Sequence, residues 1–378
     1  MNNFFASVEC RLDPTIKNKP VAVCGSKKER HGIVLARNDL AKKYAVRTGD
    51  TIWQAKSKCP DIHIASPPHY ESYHYFSDKA KEIYLKYTDM VEPYGIDECW
   101  LDVTNSQKLF GSGEKMANEL REKIKKELGL TISVGVSFNK VFAKLGSDMK
   151  KPDGTTVISK ENYKEKVWKL PASYLLGVGR NVKKTLDEYF IRTIGDIANT
   201  KTERLEYILG KNGSFLHDYA NGIDDVEIAK YEDYDEVKSI GHGTTTVRDL
   251  ENEEEVWNVI FSLTKEIGAK LRENGLKAKG VSIVIKDNTL DYVQFRKKIS
   301  TPTQSALVIA KEANDLFLKK YLWDKNIRSV TVTAIDLIEE NEPIDQSIFM
   351  DIENVKKIEK VEKMIGEMQD KYAEDVIN

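Results

Sequence analysis

Tyr94-Gly95-Ile96-Asp97-Glu98-Cys99-Trp100-Leu101-Asp102 is the stretch that decides how this chain reads. Two adjacent carboxylates sit at a tight turn behind Pro93 and Gly95, and the apolar residues that follow suit a buried strand. Consecutive strand residues point to opposite faces. Asp97 and Glu98 therefore converge on one cation only if the turn distorts the strand there. Clustered negative charge is tolerated when divalent metals neutralise it, and hard oxygen ligands select magnesium or manganese. Downstream, Ser137-Phe138-Asn139-Lys140 through Lys151-Pro152-Asp153-Gly154 supplies the lysines that a polyphosphate needs. Carboxylates for metal with lysines for phosphate point to phosphoryl or nucleotidyl transfer. Singly, an Asp-Glu pair is usually a solvated turn, and lysines alternating with apolar residues over 139–151 fit an amphipathic helix. The joint pattern carries the reading.

At 378 residues the chain exceeds one compact core, and two to four domains are expected. No apolar run approaches the ~20 residues that cross a bilayer, and no secretory signal is visible. Cys10, Cys24, Cys59 and Cys99 are scattered without Cys-x-x-Cys pairing, which suggests neither a zinc ribbon nor a disulfide framework. The expectation is a cytoplasmic protein without a membrane partner. The total charge of −2 is unevenly spread. From Asp336 onward, thirteen acidic residues face five basic ones, a net of −8 that leaves +6 for the rest. A mildly basic body with an acidic tail is compatible with a polyanionic partner, although most such lysines serve solubility.

Residues 20–35 read as two short strands joined by a charged turn. Helices over about 37–45 and 51–58 follow, the second stopped by Pro60. The segment 69–90 carries Tyr73, Phe76, Ala80, Ile83, Tyr84 and Tyr87 at helical spacing. A Lys/Glu-rich helix over 113–128 precedes a strand at 131–136. From about 157 the character is helical. There Gly177-Val178-Gly179-Arg180, with Lys183 and Lys184 on the next turn and Ile194-Gly195-Asp196-Ile197 beyond, looks like a helix-hairpin-helix. Its glycines would bare helix N-terminal amides to a DNA phosphate. The plainer reading is an αα-turn with glycine as a C-cap. Residues 225–237 are acidic and lack apolar periodicity, as a linker would.

Strands at 239–248, 280–286, 291–299 and 328–337, with helices over 252–274 and 303–320, spell β-α-β-β-α-β, a split βαβ unit. One sheet face is left open, edged by Lys286, Arg296, Lys297, Lys298 and Arg328. Such a face could follow a duplex backbone without reading bases. The acidic remainder, 338–378, holds one amphipathic helix over about 353–372. Within it, Asp345-Gln346-Ser347-Ile348-Phe349 is an apolar anchor suited to a partner's groove.

At this point the chain resembles the Y-family DNA polymerases, in particular the bacterial type that copies past damaged bases. The resemblance runs over almost the whole length. It rests on Phe4-Phe5-Ala6-Ser7-Val8-Glu9, Leu35-Ala36-Arg37-Asn38, Gly95 to Asp102, Ser137 to Lys144, Ser147-Asp148-Met149, Lys151-Pro152-Asp153-Gly154 and Lys238-Ser239-Ile240-Gly241. It implies an α+β right-hand architecture. The palm would span 1–9 and 69–156, the fingers 10–68, a helical thumb 157–227, a linker 228–238 and a βαββαβ little finger 239–337, with the acidic tail last. It also implies addition of deoxynucleotides (dNTP) to the primer of a primer-template DNA, dependent on two Mg²⁺ ions that Mn²⁺ can replace, by a monomer without a proofreading nuclease. By matching position, Asp97 and Glu98 would bind metal. Phe5 would be a steric gate against a 2′-hydroxyl, and Phe4 and Phe5 would both contact the nucleotide. Lys42 and Lys151 would meet the triphosphate. Gly177, Gly179, Arg180, Lys183, Arg296, Lys297 and Arg328 would grip DNA, and Ile348 and Phe349 would reach a sliding clamp.

The pattern departs from the family at three places. The resemblance implies an apolar strand, ending in an Asp that bridges two metals, directly ahead of the position of Met1. The expectation is a start placed at an internal methionine, since Phe5, Asp97 and Glu98 persist; the alternative is a catalytically impaired DNA-binding relic. Asp39 stands where a tyrosine is usual, and Asp345 where a glutamine begins the clamp segment; each should weaken its contact. A metal-dependent nuclease would also cluster carboxylates, but it gives no reason for Phe5 or for the lysines.

Overall fold

The computed structural model describes residues 1–26, 32–233, 237–343 and 352–372. Two compact units emerge, one of Met1–Gly25 and Ile33–Asp235, the other built from Glu236 onward.

In the first unit, helix α1 (Phe4–Leu12) buries Phe4, Ala6, Val8 and Glu9. Strands β1 (Val21–Cys24) and β2 (Val34–Arg37) are antiparallel. Two short helices, α2 (Asp39–Lys43) and α3 (Ile52–Lys58), follow. The side chain of Thr51 caps Gln54 and Gln54 caps Thr51, which fixes where α3 starts. A third strand, β3 (His63–Ala65), pairs parallel with β1. The sequence reading passed over it, because three residues show no period. Helix α4 (Tyr70–Tyr84) turns Tyr73, Ala80 and Ile83 into a core shared with α1.

Strands β4 (Val91–Pro93) and β5 (Cys99–Leu101) form a hairpin. After α5 (Gln107–Phe110), α6 (Gly113–Leu128) is capped by Ser112 and closed by Gly129 at φ +69°, a left-handed position that glycine takes without strain. Strand β6 (Val134–Val136) pairs parallel with β7 (Thr155–Val157) around α7 (Lys140–Met149). The observed β6 is shorter than the expected 131–136. Five helices complete the unit: α8 (Tyr163–Val167), α9 (Arg180–Glu188), α10 (Ile194–Asn199), α11 (Thr202–Leu209) and α12 (Lys211–Ala220). They share a core of Phe142, Leu145, Val167, Leu186, Ile194 and Leu216, so α7 belongs to two layers at once.

The second unit bears out the β-α-β-β-α-β reading. Strands β8 (Ile240–Leu250), β9 (Leu276–Asp287), β10 (Tyr292–Thr303) and β11 (Ile327–Glu339) stand in the order β10-β9-β11-β8, all antiparallel. Helices α13 (Glu253–Glu273) and α14 (Ala306–Lys320) cover one face, burying Val281, Ile283, Val330 and Val332 beneath Ile260, Ile267 and Phe317. The tail helix α15 (Ile352–Tyr372) is not a free appendage. Its Glu359 accepts the Gln304 N–H at 2.9 Å, and its Glu362 accepts the N–H groups of Ala306 and Leu307 at 2.9 and 3.0 Å, at the start of α14.

Candidate active site

Asp97 and Glu98 lie at the tip of the β4–β5 hairpin. The Tyr94 N–H donates to the Glu98 carbonyl at 2.8 Å, and Gly95 at φ +76° makes the turn between them. Asp97 lies in the bend and Glu98 just ahead of β5, the distortion that two neighbouring carboxylates need to share a cleft. Both side chains are about one-third exposed. The cleft beside them, about 540 Å³, is lined by Met1, Asp97, Glu98, Trp100, Lys144 and Lys151 among others. The Met1 amine donates to the Asp97 carbonyl at 2.6 Å and stands 3.8 Å from its carboxylate.

Burial pushes the Asp97 carboxyl above the ordinary carboxylate range, and the Glu98 charge adds to that, while the Met1 amine, Lys151 and Lys144 pull it down. A desolvated acid beside a like charge is relieved by a cation. Hard oxygen donors of this kind fit magnesium, which keeps several waters and takes one or two carboxylates. Among the described residues no group of three His, Cys, Asp or Glu gathers as a metal site. Burial pushes the neighbouring Cys99 thiol up to about 11, which disfavours its thiolate.

Positive charge reaches the carboxylates from α7. Asn139 caps that helix from the Phe142 N–H at 2.9 Å and also donates to the Gly222 carbonyl at 2.9 Å, fixing the helix start. The next residue, Lys140, pairs with Glu92 at 2.7 Å and lies over the Trp100 ring. The next turn brings the Lys144 Nζ to 2.6 Å from the Glu98 Oε1 and 3.3 Å from the Asp148 Oδ2. Burial would lower the Lys144 ammonium, yet the Glu98 and Asp148 charges hold it above its ordinary value. Lys151 pairs with the other Asp148 oxygen at 2.5 Å.

Phe5 lies half-buried on α1, stacked on Tyr73 with centroids 4.2 Å apart and edge-on to Tyr70. The Tyr73 hydroxyl donates to the buried Glu9, whose carboxylate also meets His69 Nδ1 at 3.0 Å. Phe4 requires a correction. Its ring is 5 % exposed within the α1–α4 core, so it has no face left for a nucleotide. Lys42, on α2, is paired at 2.8 Å with Asp39. Burial would raise the Asp39 carboxyl, but hydrogen bonds from Lys42 and Asn3 hold it below its ordinary value.

Gly177 takes φ +92°, and Gly179 is the N-cap of α9, which lacks a side-chain cap. The first amides of that helix are thus left for an outside acceptor, with Arg180 exposed beside them. Lys183, also exposed, is held by Asp187 at 2.5 Å. In the second unit the expectation for Lys297 is corrected. Strand alternation turns Lys297 under the helix layer, where Glu312 and Asp315 take it at 2.5 and 3.0 Å. Arg296, opposite Ser282, belongs to the open face with Gln294 and Lys298. Arg328 sits at a register shift in β11, half-buried. Ile348 and Phe349 lie outside the described residues.

Sequence reading missed Glu92 and Tyr73 as parts of this site, and it missed the pairing role of Asp148. The i,i+4 spacing of Lys144 and Asp148 on α7 was a usable signal for the last. Nothing local marks Glu92, whose partners Lys140 and Ala229 lie 48 and 137 residues away.

Comparison with known proteins places the family and the fold. Residues 1–148 match the impB/mucB/samB family, and 237–347 match the C-terminal domain of that family. A DNA polymerase IV of Acetivibrio thermocellus is 47 % identical over 99 % of this chain and 93 % of its own length. DNA polymerase IV 1 of Bacillus subtilis is 34 % identical over 100 % of the chain and 90 % of its own. A solved Y-family DNA polymerase chimera superimposes with a TM-score of 0.80 at 26 % identity, over 89 % of this chain and 97 % of that one. The α+β right hand, with a βαββαβ C-terminal domain, is therefore its architecture.

Proposed function

This chain belongs to the impB/mucB/samB family and is a Y-family DNA polymerase, and we propose that it extends primers past damaged template bases by Mg²⁺-dependent nucleotidyl transfer, without proofreading. The observation that carries the reading is the hairpin tip, which sets Asp97 and Glu98 into a cleft with Lys144 and Lys151 on its wall. Asp97 and Glu98 would hold the divalent cation, which supplies charge neutralisation at the reacting phosphate and lowers the pKa of the attacking hydroxyl. Lys151 would bind the triphosphate, with Lys42 on α2 as a second contact. Phe5, held by Tyr73, would pack beneath the sugar and exclude a 2′-hydroxyl. Positioning and electrostatics do most of the work in such transfer.

The grip on DNA is sequence-independent in this reading. The bare amides of α9 with Arg180 would take backbone phosphates, as would Arg296 on the open sheet face. Binding of a sliding clamp through 345–349 belongs to the same proposal. A second reading is a chain that binds primer-template but extends it slowly; it draws on the lack of a three-ligand cluster among the described residues.

Primer extension tests both. The expected result is addition of deoxynucleotides by this chain, lost by about 10²-fold or more in Asp97→Asn and Glu98→Gln, with duplex affinity nearly intact. Binding without extension, in the chain and its variants alike, leaves the second reading. Shortening of a labelled primer would instead make it a nuclease.

A further inference from the structure

Glu98, Lys144, Asp148 and Lys151 form a continuous ladder of alternating charge. Lys144 stands 2.6 Å from Glu98 and 3.3 Å from Asp148, and Asp148 in turn takes Lys151 at 2.5 Å. Two acids and two bases make the ladder neutral in itself, so neither lysine has charge to spare for a phosphate. Lys144 and Asp148 are four apart on α7 and so neighbours on one helical face, while Lys151 lies just past the end of that helix and reaches back to Asp148. Lys144 therefore reaches either carboxylate by side-chain rotation alone.

Resting on the roles given above to Glu98 and Lys151, we propose that Asp148 is a positioning residue that couples the carboxylate tip to the triphosphate end of the cleft. While Glu98 holds Lys144, Asp148 holds Lys151 back. When a cation takes up the Glu98 charge, Lys144 moves fully onto Asp148 and frees Lys151 for a polyphosphate. A divalent ion outcompetes a single ammonium for the same oxygen, because the attraction scales with charge. The coupling is reciprocal. A polyphosphate on Lys151 leaves Asp148 to Lys144, which opens Glu98 to the cation.

Calorimetric binding of inorganic tripolyphosphate in the presence of EDTA isolates the ladder from any metal. Asp148→Asn should raise affinity roughly fivefold, the low end of typical coupling between sites. Glu98→Gln should also raise it, by sending Lys144 to Asp148, and the two gains should not add in the double variant. Adding Lys151→Gln to Asp148→Asn should erase the gain. An unchanged affinity in Asp148→Asn, a gain that survives Lys151→Gln, or strictly additive gains would each overturn the coupling. Lys151→Gln in the otherwise unaltered chain tests the role of Lys151 itself. If that change leaves tripolyphosphate binding unmoved, the assignment of Lys151 to the nucleotide fails, independently of how Asp148 behaves.

Discussion

The rings of Phe5 and Tyr73 stack with centroids 4.2 Å apart and planes inclined by 11°. Tyr73 is fully buried and its hydroxyl is tied to Glu9, so Phe5 rests on a floor that cannot shift. A group that excludes a hydroxyl by contact needs such rigidity. Phe5→Ala should raise ribonucleotide incorporation by roughly 10²-fold relative to deoxynucleotides. Tyr73→Leu should give a smaller rise, through a loosened Phe5. Competitive single-nucleotide insertion measures both, and equal sugar discrimination in all three proteins would remove Phe5 from the role.

Gly135 is fixed by close approach. A Cβ there would lie 1.9 Å from the Ala143 carbonyl oxygen and 2.6 Å from the Ser147 nitrogen, both backbone atoms of α7. Neither can yield without displacing the helix from β6. Gly135→Ala should therefore cost more than about 3 kcal/mol in urea unfolding. Gly366, inside α15 with nothing within 4 Å of its Cβ position, is the control. Gly366→Ala should be neutral or stabilise by about 0.5–1 kcal/mol.

Glu362 anchors the tail helix. It accepts from the Ser305 hydroxyl at 2.9 Å as well as from the Ala306 and Leu307 amides. Beyond Val355, which is buried, the C-terminal half of α15 offers little apolar docking, since Val361, Met364, Ile365 and Met368 are exposed. Glu362→Ala should destabilise the second unit by about 1–3 kcal/mol, the cost of leaving buried donors unmade. Hydrogen exchange should show faster exchange at Ala306 and Leu307. Unchanged protection there would mean that α15 does not hold α14.

Asp153 predicts a pH dependence. Burial alone would raise its carboxyl, but Lys125 and Arg121, at 2.7 and 3.0 Å, hold it below the ordinary range. A depressed folded-state pKa means that the unfolded chain binds the proton more readily. The stabilisation is complete above the ordinary carboxylate value near 4 and fades as pH falls through the folded value. Denaturation midpoints taken between about pH 6 and pH 3 should drop less steeply in Asp153→Asn. Parallel curves for the two proteins would show that the ion pairs contribute nothing.

The sequence alone determined the long elements and the order of the chemistry. Helix 113–128 and the whole C-terminal βαββαβ unit were legible because each spans several periods of 3.6 or 2 residues; the caps Ser112, Asn252 and Ser305 that set the helix starts emerged only in the structure. The Asp97-Glu98 turn was legible because adjacent carboxylates after Pro and Gly are costly without a purpose. Tertiary structure alone decided the short strand at His63–Ala65, which exists only through its pairing with β1. It also decided which charges stay free. Lys297 and Arg296 read alike in sequence, yet one residue of strand alternation sends the first beneath the helices to Glu312 and leaves the second in the open. Ion pairs such as Lys144 with Glu98 join residues 46 apart. Charge type is a local property, but the distance at which two charges meet is set by the path of the whole backbone between them.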